Sequence, residues 1–144
     1  MLSQTAEYAL RAAVHMASHP GERQTTRDIA TAMDIPADYL AKVMQALVRG
    51  GVVTAVRGKS GGFLLARPDG QTSVLDVVNA VDPLRRIQSC PLHLPHHAKN
   101  MCPLHSKLDH AAAMLEQEFR NTCIADLTEQ GAVRIKTAGA GHEG

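Results

Sequence analysis

The chain has 144 residues, 44% of them hydrophobic but only 3% aromatic, with no Trp and a formal net charge of +1. That length holds one cored domain plus an extension, not two ordinary domains, and a core poor in rings must be built from Ala, Val, Leu, Ile and Met, which favours helices. The start, MLSQTAEYAL, lacks a basic segment followed by an apolar run, and no apolar stretch reaches membrane-spanning length, so a soluble cytoplasmic protein with no membrane partner is expected.

Residues 4 to 18 set Ala6, Leu10, Ala13, Val14 and Ala17 at helical spacing, which predicts a first amphipathic helix stopped by His19-Pro20-Gly21. Thr25 or Thr26 is placed to cap a second helix, TTRDIATAM, followed by Asp34-Ile35-Pro36. A third helix, ADYLAKVMQALVRGG, carries a stripe of Leu40, Val43, Met44 and Leu47 and ends at Gly50-Gly51. The period then changes. VVTAV and FLLAR are strand-like, and RGKSGG between them allows the positive φ angles of a tight hairpin.

Helix, helix-turn-helix and hairpin is the order of a winged helix-turn-helix, whose third helix enters the major groove while the hairpin reaches nearby phosphates. From Tyr39 to Pro68 there are five basic residues (Lys42, Arg49, Arg57, Lys59, Arg67) and no acid. This segment spans that helix and hairpin, so double-stranded DNA is the partner it fits; a merely solvated face is the plainer reading of the charge.

After Pro68-Asp69-Gly70, SVLDVVNAVD reads as a helix capped by Thr72 or Ser73. LHSKLDHAAAMLEQEF then puts Leu104, Leu108, Ala111, Ala112, Leu115 and Phe119 on one stripe. The same helix of a second subunit is its most economical cover, which predicts a homodimer reading a pseudo-palindromic operator; folding back on its own domain is the alternative. The fold class is therefore mainly α with a small β-hairpin: a winged helix-turn-helix domain over 1–83, a Cys/His-rich sensor loop over 84–103, a dimerisation helix region over 104–128 and a flexible tail over 129–144.

The loop contains CPLHLPHHAKNMCPLH, from Cys90 to His105. Three cysteines in a chain without a secretion signal favour metal or redox chemistry over a disulfide framework. Pro103 suits the first position of a helix, making Cys102 its cap and His105 its third residue, so that sulfur and imidazole can meet on one atom. Cys90, His93, Cys102 and His105 together form the Cys2His2 donor set of a tetrahedral zinc site. Two thiolates with histidine or carboxylate would equally support a [2Fe–2S] cluster, as histidine does in Rieske-type centres. A metal-free loop is the third reading. His96 and His97 are then spare ligands or solvated residues.

With EYALRAAVHMA, IPADYLAKVMQALVRGGVVTAVRGKSGGFLLARP and SVLDVVNAVD, followed by a cysteine-bearing loop and a long helix, about the first 128 residues resemble the Rrf-two family of bacterial winged-helix regulators. The wing VVTAVRGKSGG is similar to that of the family's NsrR-type nitric-oxide sensors. The resemblance implies a homodimeric transcription regulator, usually a repressor, whose operator affinity depends on an iron–sulfur cluster in the loop before the dimerisation helix. Loss of the cluster to nitric oxide, peroxide or iron starvation would be the signal. Cys90 and Cys102 match the outer pair of the IscR-like spacing, where the family generally has three cysteines; the middle position falls on or near His96. His105 matches a ligand histidine. Glu7 matches a carboxylate that some members supply across the dimer, and a Glu7–Arg11 ion pair at i, i+4 is the plainer alternative. Cys123 falls where the family has a small or apolar residue and reads as structural.

Winged-helix geometry assigns the DNA contacts. Asp38, Tyr39, Lys42 and Gln45 fall on or near the recognition helix, with Lys42 and Gln45 as base readers and Tyr39 as a phosphate contact. Arg57 and Lys59, with the amides of Ser60 and Gly61, belong to the wing, and the amides of Thr25 and Thr26 at a helix start suit a phosphate. No phosphate loop, nucleophile elbow or dinucleotide fingerprint is present, so an enzyme is not expected.

Overall fold

Ser3 opens the first helix by accepting the Ala6 amide on its hydroxyl at 3.1 Å, as a cap should. In the computed structural model, which describes residues 2–86, 92–94 and 102–131, this helix is α1 (Gln4–Ala17). Its buried residues are Ala6, Ala9, Ala12, Ala13 and Met16, whereas Leu10, Val14 and Ala17 are only partly buried at the flank. The inward stripe is thus rotated from the expected one. Alanines let neighbouring backbones approach closely, and α1 lies against four other helices of the body.

The helix-turn-helix follows. Thr25 caps α2 (Thr26–Met33) in a reciprocal box with Asp28, and Asp34 ends it in the left-handed region at φ 54°. In α3 (Ala37–Arg49) the buried residues are Leu40, Val43, Met44 and Leu47, as the period predicts. A methyl on Gly50 would sit 2.6 Å from the Ala80 side chain, so glycine here both ends α3 and lets it approach the next helix. The wing is an antiparallel pair, β1 (Val53–Val56) and β2 (Gly62–Leu65), with Val53 opposite Leu65 and Val56 opposite Gly62.

A 3-10 turn at Asp69–Gln71 leads to α4 (Val74–Val81), capped by Ser73 in a second box, with Asp76. The long helix α5 (Pro103–Asn121) has no buried residue; Leu104 and Leu108 are exposed, and Phe119 packs against the core. Its end is tied to the start of α4: Val74 donates its amide to Thr122 and Ile124 donates to Thr72, both at 2.8 Å. The short α6 (Ile124–Leu127) follows, with Ile124 fully buried and Cys123 at its cap, the amide and thiol both directed at Asp126. Gly131 is buried and donates its amide to the Thr128 hydroxyl at 3.3 Å, while residues 132–144 of the expected tail lie outside the described residues. Among the described residues no helix is long and apolar enough to cross a membrane.

Candidate nucleic-acid interface and loop base

The outer face of α3 is set by what its inner face buries. With Leu40, Val43, Met44 and Leu47 inward, Asp38, Lys42, Gln45 and Arg49 fall together on the opposite side, and all four are exposed. This spacing is one stripe of a helix, the surface a major groove would meet. Arg49 was countable as a basic residue in the sequence but joins this exposed face by its register with Lys42 and Gln45.

Tyr39 is held differently. Its hydroxyl is hydrogen-bonded to that of Thr5, and its ring meets Tyr8 edge-on with centroids 5.3 Å apart. The residue is a strut between α1 and α3, so the phosphate contact expected of its hydroxyl would have to share that group with Thr5.

In the wing, Arg57, Lys59 and Ser60 are exposed. Gly61 is a correction: its amide donates to the Gly58 carbonyl at 3.0 Å and closes the turn, so it is not open to a phosphate as expected. Arg23, which the sequence gave no reason to single out, donates from its guanidinium to the Ser60 carbonyl at 3.0 Å. At the start of α2 the Thr25 amide is also occupied, donating to the Asp28 carboxylate at 3.0 Å. Hydrogen bonds from the Thr25 backbone and hydroxyl hold the Asp28 carboxyl below the usual carboxylate range. That negative charge works against a phosphate at Thr25, leaving the Thr26 amide as the expected donor of the two.

At the base of the Cys/His-rich loop, Cys102 caps α5 with Pro103 at its first position, and the His105 amide donates to the Cys102 sulfur at 3.2 Å. Cys102 is buried and His105 half-buried. This is the local geometry that the Cys-Pro-Leu-His order implies. His93 is described, at φ 53°, whereas Cys90, His96 and His97 lie outside the described residues. Among the described residues no group of three or more potential ligands comes together. Glu7 is exposed on α1, and the expected ion pair with Arg11 is not formed: Arg11 donates to the Met33 carbonyl and lies over the Tyr8 ring, 5.9 Å from its centroid. A helix-end carbonyl and an aromatic face together hold this guanidinium, where a screened surface carboxylate offers little.

Caps, core and basic outer face together define a winged-helix DNA-binding regulator. A profile of the Rrf2 (Rrf-two) family, iron-dependent transcriptional regulators, matches residues 2–130, and the chain belongs to that family. A protein of Aquifex aeolicus (strain VF5), described as an HTH-type transcriptional regulator, is 32% identical over 131 residues, covering 88% of this chain and 90% of its own. Among solved structures, CymR, the global cysteine regulator of B. subtilis, superposes with a TM-score of 0.72 at 18% identity, covering 90% of this chain and 97% of its own. T. potens IscR gives 0.72 at 22% identity, covering 88% and 85%. The protein is thus a transcriptional regulator and not an enzyme.

Proposed function

We propose that this regulator is a homodimeric repressor whose affinity for a pseudo-palindromic operator is controlled by an iron–sulfur cluster, [2Fe–2S], reporting redox state, nitric oxide or iron–sulfur supply. The observation that carries the reading is the N-terminus of α5, where the buried Cys102 is the cap, with His105 one turn away. A thiol and an imidazole at one helix start fit the mixed sulfur and nitrogen donor set of such a cluster. Cys90 would be the second thiolate, and His96, His93 or Glu7 of the second subunit would complete the set. When bound, the cluster supplies a redox-active iron centre that oxidants and nitric oxide attack. The chain's own residues hold that centre beside α5, whose exposed Leu104 and Leu108 suit a second copy of the helix. Loss of the cluster would then change how the two wings are spaced on DNA. Lys42 and Gln45 would read bases, with Asp38 beside them, and Arg57, Lys59, Ser60 and Thr26 would position the backbone.

The test is made on protein purified without oxygen: an ultraviolet-visible spectrum with iron, sulfide and zinc content, for wild type and Cys102→Ala. Visible charge-transfer bands with matched iron and sulfide, lost in the variant, support the cluster. A colourless protein with one zinc per chain would replace it by a Cys2His2 clasp of Cys90, His93, Cys102 and His105.

A further inference from the structure

The segment joining α1 to α2 makes long-range contacts with the wing. Gln24 donates its amide to the Phe63 carbonyl at 3.2 Å and accepts the Phe63 amide at 2.8 Å, adding a short third rung beside β2. Gly62, at φ 154°, comes so close that a methyl there would lie 2.9 Å from the Gln24 carbonyl oxygen. Gln24 is itself tied to α1, its Oε1 lying 3.2 Å from Nε2 of His15. Beside it the Arg23 guanidinium reaches the carbonyl of Ser60, 37 positions away in the chain.

The wing tip needs such an anchor. Its turn, RGKSGG, is closed by Gly61 donating to Gly58, and Gly58 sits at φ 117°. Glycines give a turn of this kind wide conformational freedom, and Arg57, Lys59 and Ser60 are all exposed on it. The bond from Arg23 connects this tip to the body of the domain.

We propose that Arg23 is a positioning residue for DNA binding: by holding the Ser60 carbonyl it fixes the wing tip and sets the direction in which Arg57 and Lys59 meet phosphates, without contacting DNA itself. The inference rests on the DNA-binding reading of α3 and the wing. A direct phosphate contact by the same guanidinium is separable from bracing, because the salt dependence of binding counts the phosphates neutralised.

The experiment uses the full chain and a fluorescein-labelled, mixed-sequence DNA duplex, since phosphate contacts are independent of sequence. Affinity is measured by anisotropy over a range of salt, for wild type, Arg23→Ala and Arg57→Ala. Arg23→Ala is expected to bind about three- to tenfold more weakly, the scale of one lost hydrogen bond, with the slope of log K against log salt unchanged. Arg57→Ala is expected to lower the slope by about 0.9 for each subunit bound to the duplex, about 1.8 for a dimer. In the free protein, amide hydrogen exchange at Gly61 should be faster in Arg23→Ala at an unchanged thermal midpoint. A slope reduced by about 0.9 for each bound subunit in Arg23→Ala would make Arg23 a phosphate contact and overturn the proposal. So would unchanged affinity or unchanged exchange at Gly61. A wild type whose binding ignores salt would instead remove the reading of the face itself, a result separate from anything the variant shows.

Discussion

Arg86 and Asp109 face each other in a fork, Nε donating to Oδ1 at 2.7 Å and Nη2 to Oδ2 at 2.6 Å. Arg86 directly precedes residue 87, where the loop bearing Cys90 leaves the described residues, and Asp109 lies on α5 beyond Cys102. The pair therefore ties together the two sides of the Cys/His-rich loop. The Asp109 hydrogen bonds raise the guanidinium pKa above its ordinary value, so the fork stays charged on the arginine side at any working pH. Under the proposed cluster reading, Arg86→Ala is expected to speed loss of the visible absorption under peroxide several-fold. The thermal midpoint should barely move, because an exposed pair adds little to global stability. Exchanging the two residues, Arg86→Asp with Asp109→Arg, should restore the wild-type rate. Identical decay in wild type and Arg86→Ala would leave the fork without a part in holding the loop.

The face of α3 separates affinity from specificity. Gln45→Ala is expected to reduce discrimination at one operator position by about 1–3 kcal/mol while changing the salt slope little, as for a base reader. Lys42 lies one turn earlier on the same exposed stripe. If Lys42→Ala lowers affinity uniformly across operator variants and reduces the slope by about 0.9 for each subunit, it contacts phosphate and the base-reading assignment passes to Gln45 alone. Competition binding against a set of single-base operator variants decides between them.

Acid should loosen the start of α2. The Asp28 carboxyl is held below its ordinary value by hydrogen bonds from Thr25 in the folded chain, so its contribution is present above the unfolded carboxylate pKa and is lost as pH falls through the folded value. Asp28→Asn is therefore expected to show a shallower decline of thermal midpoint between about pH 5 and pH 2 than wild type. Parallel midpoint curves for the two proteins would mean that this capping box carries none of the acid sensitivity. Thr25→Ala, which removes the cap itself, should cost about 0.5–2 kcal/mol near neutral pH.

The uncovered stripe of α5 predicts self-association through that helix. Leu108 is 40% exposed and Met114 56% exposed, and a two-fold interface would bury each of them twice. Full burial of an apolar side chain is worth about 1.5–3 kcal/mol, and the exposed share of Leu108 in two copies amounts to about 1–2.5 kcal/mol, so Leu108→Glu is expected to weaken the dimer by about tenfold or more. Sedimentation velocity over a dilution series measures this directly. A variant as dimeric as wild type would place the interface elsewhere.

Much of the fold could be read from local chemistry. Thr25 and Ser73 before their aspartates, and Cys102 before Pro103, are caps whose partners lie within three residues; Cys102 forms as expected, and of the pairs Thr25 or Thr26 and Thr72 or Ser73 the structure takes Thr25 and Ser73. The stripe of α3 follows from period alone. What escaped were contacts across the chain and effects of size. Arg23 bonds to Ser60 and Arg11 to the Met33 carbonyl, at separations of 37 and 22 positions that no motif encodes. The inward stripe of α1 was misplaced because alanine is weakly hydrophobic, and what selects Ala9 and Ala12 for the centre is their lack of bulk. The candidate DNA face was legible in outline through its missing acids, yet the amides of Gly61 and Thr25 were already engaged in their own turns. Of the loop, the helix start at Cys102 was legible, while Cys90 and His96 lie outside the described residues.

The stitching of Thr122 and Ile124 to the start of α4 has a mechanical consequence. It fixes the C-terminal end of α5, while Cys102 at the other end is buried and the Arg86–Asp109 fork lies one to two turns inside it. Nineteen residues at 1.5 Å each give an arm of about 28 Å, so a shift of about 2.4 Å at the sulfur corresponds to a tilt of only about 5° at the clamp. The clamp rests on α4, and α4 packs against α3. A displacement around the cysteine would therefore reach the clamp only as a small rotation, delivered through α4 next to α3.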